Sequence, residues 1–334
     1  MKAMVLSEVS AIEKEPLKLK DLPDPVPGPK EILVRISVCG VCHTELDEIE
    51  GRLQPKLPVV PGHQVIGKVF ALGSGARRFR VGDRVGIAWI YSACGTCRFC
   101  QSGNENLCPD FRGTGCHANG GYAQQMTIQE DYAYLIPERF SDSQAAPLLC
   151  AGAIGYRDLI LSGIKKGETL GLFGFGASAH IVIQVATYLG CEVFVFTRGE
   201  EHRKLAKKLG ASWTGGPEEE PPKKLHCAID FTPVGETVAN ALRVLDKGGR
   251  LVVAVIRKRN PIPPLDYSKH LWDEKEMKSV ANIIRKDAED FLSLAARIPI
   301  VPEVQEFKLT EANQVLLLLK QGRIRGSGVL RVGE

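Results

Sequence analysis

At 334 residues, with 44% hydrophobic and 25% charged residues, the chain has the composition of a water-soluble protein and the length of about two domains. A net charge of +4 is too mild and too dispersed to point to nucleic acid or an anionic membrane as a partner. The start, Met1-Lys2-Ala3-Met4-Val5-Leu6-Ser7-Glu8, reaches an acid before a signal-peptide core could form. Ten cysteines without such a signal fit metal ligation in a reducing cytoplasm better than disulfides.

In chain order, residues 32–38 alternate loosely, 65–71 follow a Pro61-Gly62 turn, and 80–86 run from a turn into a strand. The first third therefore reads as a compact β-rich domain. From residue 151 the texture changes. Strands at 170–173, 191–197, 227–231 and 249–256 alternate with helices at 177–189 and 200–209, and such alternation predicts an α/β fold with a doubly wound parallel sheet. Residues 170–189 are apolar enough to suggest a membrane span, but they carry Gly171, Gly174, Gly176, Ser178, His180 and Gln184, as a buried strand, turn and helix would. The run Glu218 to Lys224 reads as a solvated loop. Pro299 to Pro302 marks a boundary, a helix is expected at 310–321, and the tail is expected to rejoin the first domain. The expected domains are 1–150 with 297–334, and 151–296.

Cys94-Gly-Thr-Cys97-Arg-Phe-Cys100, followed by Cys108, has the spacing of a closed tetrahedral four-cysteine zinc site. Gly174-Phe175-Gly176-Ala177-Ser178-Ala179 lies between a predicted strand and helix. There the glycines permit a tight turn and bring a pyrophosphate close to backbone N–H groups. An acid at the end of the next strand would bind ribose hydroxyls and repel a 2′-phosphate. This chain has Thr197 and Arg198 instead, a hydroxyl donor and a planar cationic fork, which predicts NADP(H) over NAD(H).

With these landmarks in register, the chain resembles the zinc-dependent alcohol dehydrogenases of the medium-chain dehydrogenase/reductase superfamily over nearly its whole length. The matching segments are Cys39 to Glu45, Pro61-Gly62-His63, the four-cysteine lobe, Leu149 to Gly152, the glycine turn, and Gly322 to Gly326. The resemblance implies a GroES-like catalytic domain joined to a Rossmann domain, and two Zn²⁺ per chain. One zinc is structural, on Cys94, Cys97, Cys100 and Cys108. The other is catalytic, on Cys42, His63 and Cys150, with an exchangeable fourth ligand. Cys39 competes with Cys42; the family's ligand directly precedes the cofactor-contacting and relay positions, here His43 and Thr44, which selects Cys42. By the same resemblance Thr44 is the first proton relay, Glu45 orients His63, and His43 and Arg325 face the pyrophosphate. Gly174, Gly176, Ala177, Ser178, Thr197 and Arg198 complete the expected cofactor site.

Three positions depart from the family pattern. Gln64 stands where the residue after the zinc histidine is usually Glu, Asp47 where many relatives carry a relay histidine, and Ile154 where Thr is frequent. Trp89 and Ile154 are expected to line an apolar pocket. The implied function is hydride transfer between a primary or small secondary alcohol or its carbonyl product and NADP(H), the zinc stabilising the alkoxide. A polyol dehydrogenase of the same fold, or a nicotinamide-binding redox sensor without turnover, are the alternatives. A homodimer or homotetramer is expected. Cys39, Cys116, Cys191 and Cys227 read as structural, His117 as a loop residue, His180 as packing or capping, and Arg257-Lys258-Arg259 as a solvated basic run, with a role near cofactor phosphates as its alternative.

Overall fold

The computed structural model describes residues 1–332, which divide into two compact units. The first comprises Met1–Cys150, Ile283–Ala296 and the chain from Pro302; the second comprises Ala151–Asn282 and Arg297–Val301.

In the first unit, the strand Glu31–Val41 is apolar at Ile32, Leu33, Val34, Ile36 and Val38, and all five are buried. It pairs antiparallel with Gln64–Leu72, Gln125–Gln129 and Ser327–Arg331, which makes it the hub of a seven-stranded sheet. The helix Ala312–Lys320 sends Val315 and Leu316 into the same core as Ile32, Val65, Ile87 and Tyr122. The structure groups Ile283–Ala296 with this unit, whereas the sequence placed that stretch in the second domain. Polar anchors explain the difference. Glu105 is buried beside the four-cysteine lobe and accepts the Arg285 backbone N–H at 3.0 Å and its Nε–H at 2.9 Å. Arg78 also pairs with Glu289 at 2.8 Å. By contrast, Val301 donates its backbone N–H to Gln184 Oε1 of the second unit at 3.0 Å.

The second unit is built on six parallel strands in the order Trp213–Gly215, Glu192–Phe196, Thr169–Phe173, Leu225–Asp230, Leu245–Val253, Glu276–Ser279. Numbered along the chain this is 3-2-1-4-5-6, the doubly wound dinucleotide-binding order. Residues 170–189 form strand, turn and helix (Ala177–Tyr188). Among the described residues no helix is long and apolar enough to cross a membrane. The edge strand Glu276–Ser279 and the helix Arg285–Arg297 were not foreseen.

Phe173 and Phe196, on neighbouring strands and almost fully buried, stack at 4.1 Å between centroids with planes 3° apart. Trp213 meets Phe196 edge-on at 5.0 Å. Removing such a ring strips its transfer energy and leaves a cavity, so Phe196→Ala should cost about 3–5 kcal/mol. Denaturation followed by tryptophan fluorescence checks this, and a loss below about 1 kcal/mol would contradict the packing role.

Candidate active site

Cys42 has extended backbone (φ −140°, ψ −179°) and caps the helix His43–Ile49. Its sulphur accepts the Thr44 backbone N–H at 3.3 Å, while Glu45 Oε2 accepts the Cys42 N–H at 2.8 Å. This is a reciprocal capping box with cysteine where serine or threonine usually stands. The other oxygen, Glu45 Oε1, lies 2.6 Å from His63 Nδ1. The opposite ring nitrogen, Nε2, then sits 3.6 Å from Cys42 Sγ and 3.3 Å from Cys150 Sγ. Cys150 follows the 3₁₀ turn Ala146–Leu149. His63 itself is reached through Gly62, at φ +99°, where a Cβ would fall 2.4 Å from the Tyr122 ring. Only glycine fits that corner.

The donor set suits zinc. Bonds of ~2.3 Å to sulphur and ~2.0 Å to nitrogen place tetrahedral ligand atoms roughly 3.5–3.8 Å apart, close to the separations found. Cys42, His63 and Cys150 form one of two groups among the described residues whose ligand atoms all lie within 4.8 Å of one another. Cys39 is fully buried and outside this group, so the structure favours Cys42. A hydrogen bond with the Cys150 thiol, together with burial, pushes the Cys42 thiol up. Burial works against the charged form of His63, but the Glu45 carboxylate and Cys42 outweigh it and raise the imidazole well above its usual range. Burial likewise opposes Glu45 ionisation, and His63 overcomes it. Trp89 meets His63 edge-on at 5.1 Å.

Around this centre Thr44 and Asp47 are buried and His43 is exposed. Asp47 Oδ1 is bound by Arg52 Nε at 2.5 Å, and Arg52 also pairs with Glu50. Arg52 went unnoticed in the sequence. Gln64 is buried, its amide 2.8 Å from where a Cβ on Gly40 would sit. Arg325, in the same unit, pairs with Glu303 at 2.9 Å. His117 accepts the Gly113 N–H through Nδ1 at 2.9 Å, as a loop residue would.

Cys94, Cys97, Cys100 and Cys108 form the other converging group, around the short helix Arg98–Gln101. The backbone N–H groups of Thr96 and Cys97 hold the Cys94 thiol down at about 6. Burial and the three neighbouring thiols push Cys100 up to about 12. A divalent metal would displace the remaining thiol protons. All ten cysteines are free thiols.

In the second unit, Gly174 (φ +85°) donates its N–H to Phe196 O at 2.8 Å. Gly176 then opens the helix Ala177–Tyr188 without a side-chain cap. Ala177 and Ser178 thus begin a helix whose first N–H groups face an anion-favouring end. Thr197 is buried at the end of its strand, and Arg198 is exposed next to it. Arg203 reaches back to donate to Thr197 O at 2.9 Å, a second cation near that strand end that the sequence did not reveal. His180, on the same helix, is buried, with Nδ1 3.4 Å from Gly176 O. Ile154 is half-buried in the helix Ala151–Ser162.

A doubly wound parallel sheet with a glycine turn, and a β-rich unit bearing two convergent thiol sites, define a zinc-binding dehydrogenase. Two family models match the chain: the alcohol dehydrogenase GroES-like domain over residues 28–138 and zinc-binding dehydrogenase over residues 179–297. A Mycobacterium tuberculosis protein named "Probable alcohol dehydrogenase AdhA" is 44% identical, over 99% of this chain and 97% of its own. An alcohol dehydrogenase of Geobacillus stearothermophilus is 36% identical over 100% of both chains. A crystal structure of an NAD-dependent alcohol dehydrogenase superposes with a TM-score of 0.92 at 26% identity, covering 100% of both. The chain belongs to the zinc-dependent alcohol dehydrogenase family of the medium-chain dehydrogenase/reductase superfamily.

Because Glu45 orients His63, Glu45→Gln should weaken metal at the three-ligand site by about 10- to 100-fold while sparing the four-cysteine site. Metal analysis after graded chelation should then show metal at the three-donor site leaving the variant earlier than the wild type. Equal loss of both zincs in the variant and the wild type would refute this.

Proposed function

We propose that the protein moves hydride between a primary or small secondary alcohol and NADP(H), with Cys42, His63 and Cys150 holding the catalytic zinc. The observation that carries this reading is the convergence of those three donors, with Glu45 behind His63. Zinc held there supplies a Lewis acid that acidifies an alcohol or polarises a carbonyl. Thr44, buried in the first turn of the helix, would relay the alcohol proton, its hydroxyl accepting one proton as it passes its own on. Asp47, fixed by Arg52, ends the relay as a held carboxylate. A nicotinamide held by the second unit would supply the hydride acceptor or donor. The neutral amide of Gln64 leaves the centre one negative charge poorer than a Glu there would.

The first unit is the catalytic domain, and its four-cysteine lobe carries the structural zinc. In the second unit Gly174, Gly176, Ala177 and Ser178 seat the pyrophosphate, while Thr197 and Arg198 take the 2′-phosphate. His43 and Arg325 add cofactor contacts, for which Arg325 would leave Glu303. Trp89, edge-on to His63, makes the substrate side of the three donors apolar, which favours simple alcohols and aldehydes over polyols. The edge strand Glu276–Ser279 is exposed at every residue, with Trp272 and Tyr267 exposed nearby. A second copy pairing there would cover them, as sheet edges require.

A panel of aldehydes and polyols, tested with NADPH and NADH on zinc-replete protein, examines the whole reading. The expected result is two zincs per chain, turnover of simple aldehydes, and higher kcat/KM with NADPH. Arg198→Asp should move the preference toward NADH by about tenfold or more. Equal efficiency with both cofactors in the wild type would remove the NADP assignment, and no turnover by metal-replete protein would favour the redox-sensor alternative. Light scattering should report two or four chains per particle; a monomer would remove the edge-pairing proposal.

A further inference from the structure

The basic run that follows the strand Leu245–Val253 turns inward at its middle residue. Arg257 and Arg259 are exposed, but the Lys258 side chain is only 12% exposed. Its Nζ donates to Asp230 Oδ2 at 2.5 Å and to Thr232 O at 2.7 Å. Asp230 ends the strand Leu225–Asp230 and is fully buried; its Oδ1 accepts the Thr232 N–H at 2.8 Å and the Thr232 hydroxyl at 2.7 Å. The two loops are also tied by Arg259 N–H to Pro233 O at 2.7 Å and by Gly235 N–H to Asn260 Oδ1 at 3.2 Å.

This cluster lies where the strand order reverses, between Thr169–Phe173 and Leu225–Asp230. Thr232 Cγ2 is 3.0 Å from the position a Cβ would take on Gly174. In open α/β sheets the ligand crevice lies outside the carboxyl ends of the strands at such a reversal. A buried carboxylate there would repel an anionic diphosphate unless a cation met it. An ammonium has three N–H donors, and two are accounted for by Asp230 and Thr232.

We propose that Lys258 binds the dinucleotide, its third N–H donating to an oxygen of the diphosphate–ribose stretch seated over Gly174–Gly176. Asp230 and Thr232 are positioning residues that aim Nζ. The inference rests on the reading of the glycine turn as the cofactor seat.

The test is NADPH binding to the full chain, zinc-replete, followed by fluorescence of the reduced nicotinamide. The variants are Lys258→Met and the double variant Asp230→Asn/Lys258→Met. The double variant removes both charges, so no buried charge is stranded and the fold is protected. Loss of a charge-assisted hydrogen bond should raise the NADPH Kd of the double variant about tenfold or more. Zinc content should stay unchanged. A double-variant Kd within about twofold of wild type overturns the proposal even if the single variant binds weakly, because Lys258 would then only neutralise Asp230. Wild-type protein that binds neither NADPH nor NADH overturns the underlying cofactor reading instead.

Discussion

The buried carboxylate of Glu45 is the contact on which the three-donor centre depends. Each oxygen serves a different member of the donor group: Oε2 takes the Cys42 N–H, and Oε1 lies against His63 Nδ1. A carboxylate taken out of water is costly unless both oxygens find partners. Here the partners are the backbone of Cys42 and the ring of His63, so the cost is offset only when the two are in register. Holding Nδ1 also fixes which nitrogen faces the sulphurs. Because the same contact closes the capping box, it sets where the helix His43–Ile49 begins, and with it the placement of Thr44 and Asp47.

That helix is held at its far end by a chain of alternating charges. Asp47 and Glu50 meet Arg52, Glu50 meets Lys320, and Lys320 meets Glu13. The outer pair, Lys320 with Glu13, is solvent-facing and contributes little by itself. The inner members are more sheltered, Glu50 being 7% exposed, and they join the helix to Ala312–Lys320 across the first unit. A seven-residue helix is too short to be stable alone, so the cap and this clamp together keep it in place.

What could be read in the sequence was local. The spacing of Cys94, Cys97, Cys100 and Cys108 and the turn at Gly174–Gly176 are short-range patterns; the four sulphurs lie within 4.8 Å of one another, and Gly174 has φ +85°. The strand and helix alternation after residue 151 followed from runs of buried residues such as Thr169–Phe173. What stayed hidden depended on distant partners or lacked a period. Arg285 and Glu105 are 180 positions apart, so nothing near either one shows on which unit the helix Arg285–Arg297 packs. The strand Glu276–Ser279 is exposed at every residue and has no apolar alternation to reveal it. Lys258 looks like its arginine neighbours until Asp230 is known to lie beneath it.

The chain's path has a consequence for biosynthesis. The hub strand Glu31–Val41 is made well before its neighbour Ser327–Arg331. At translation rates of roughly 5–20 residues per second, the intervening chain takes about 15–60 s to appear. The second unit, nearly all of it one continuous stretch from Ala151 to Asn282, needs no such wait. During that interval one face of the hub strand's edge lies open, and Cys42, which directly follows it, emerges on a sheet not yet closed. Metal delivered to the nascent chain would meet its thiols before the frame that sorts them exists, so faithful loading favours a free metal level low enough for the finished protein alone to capture it.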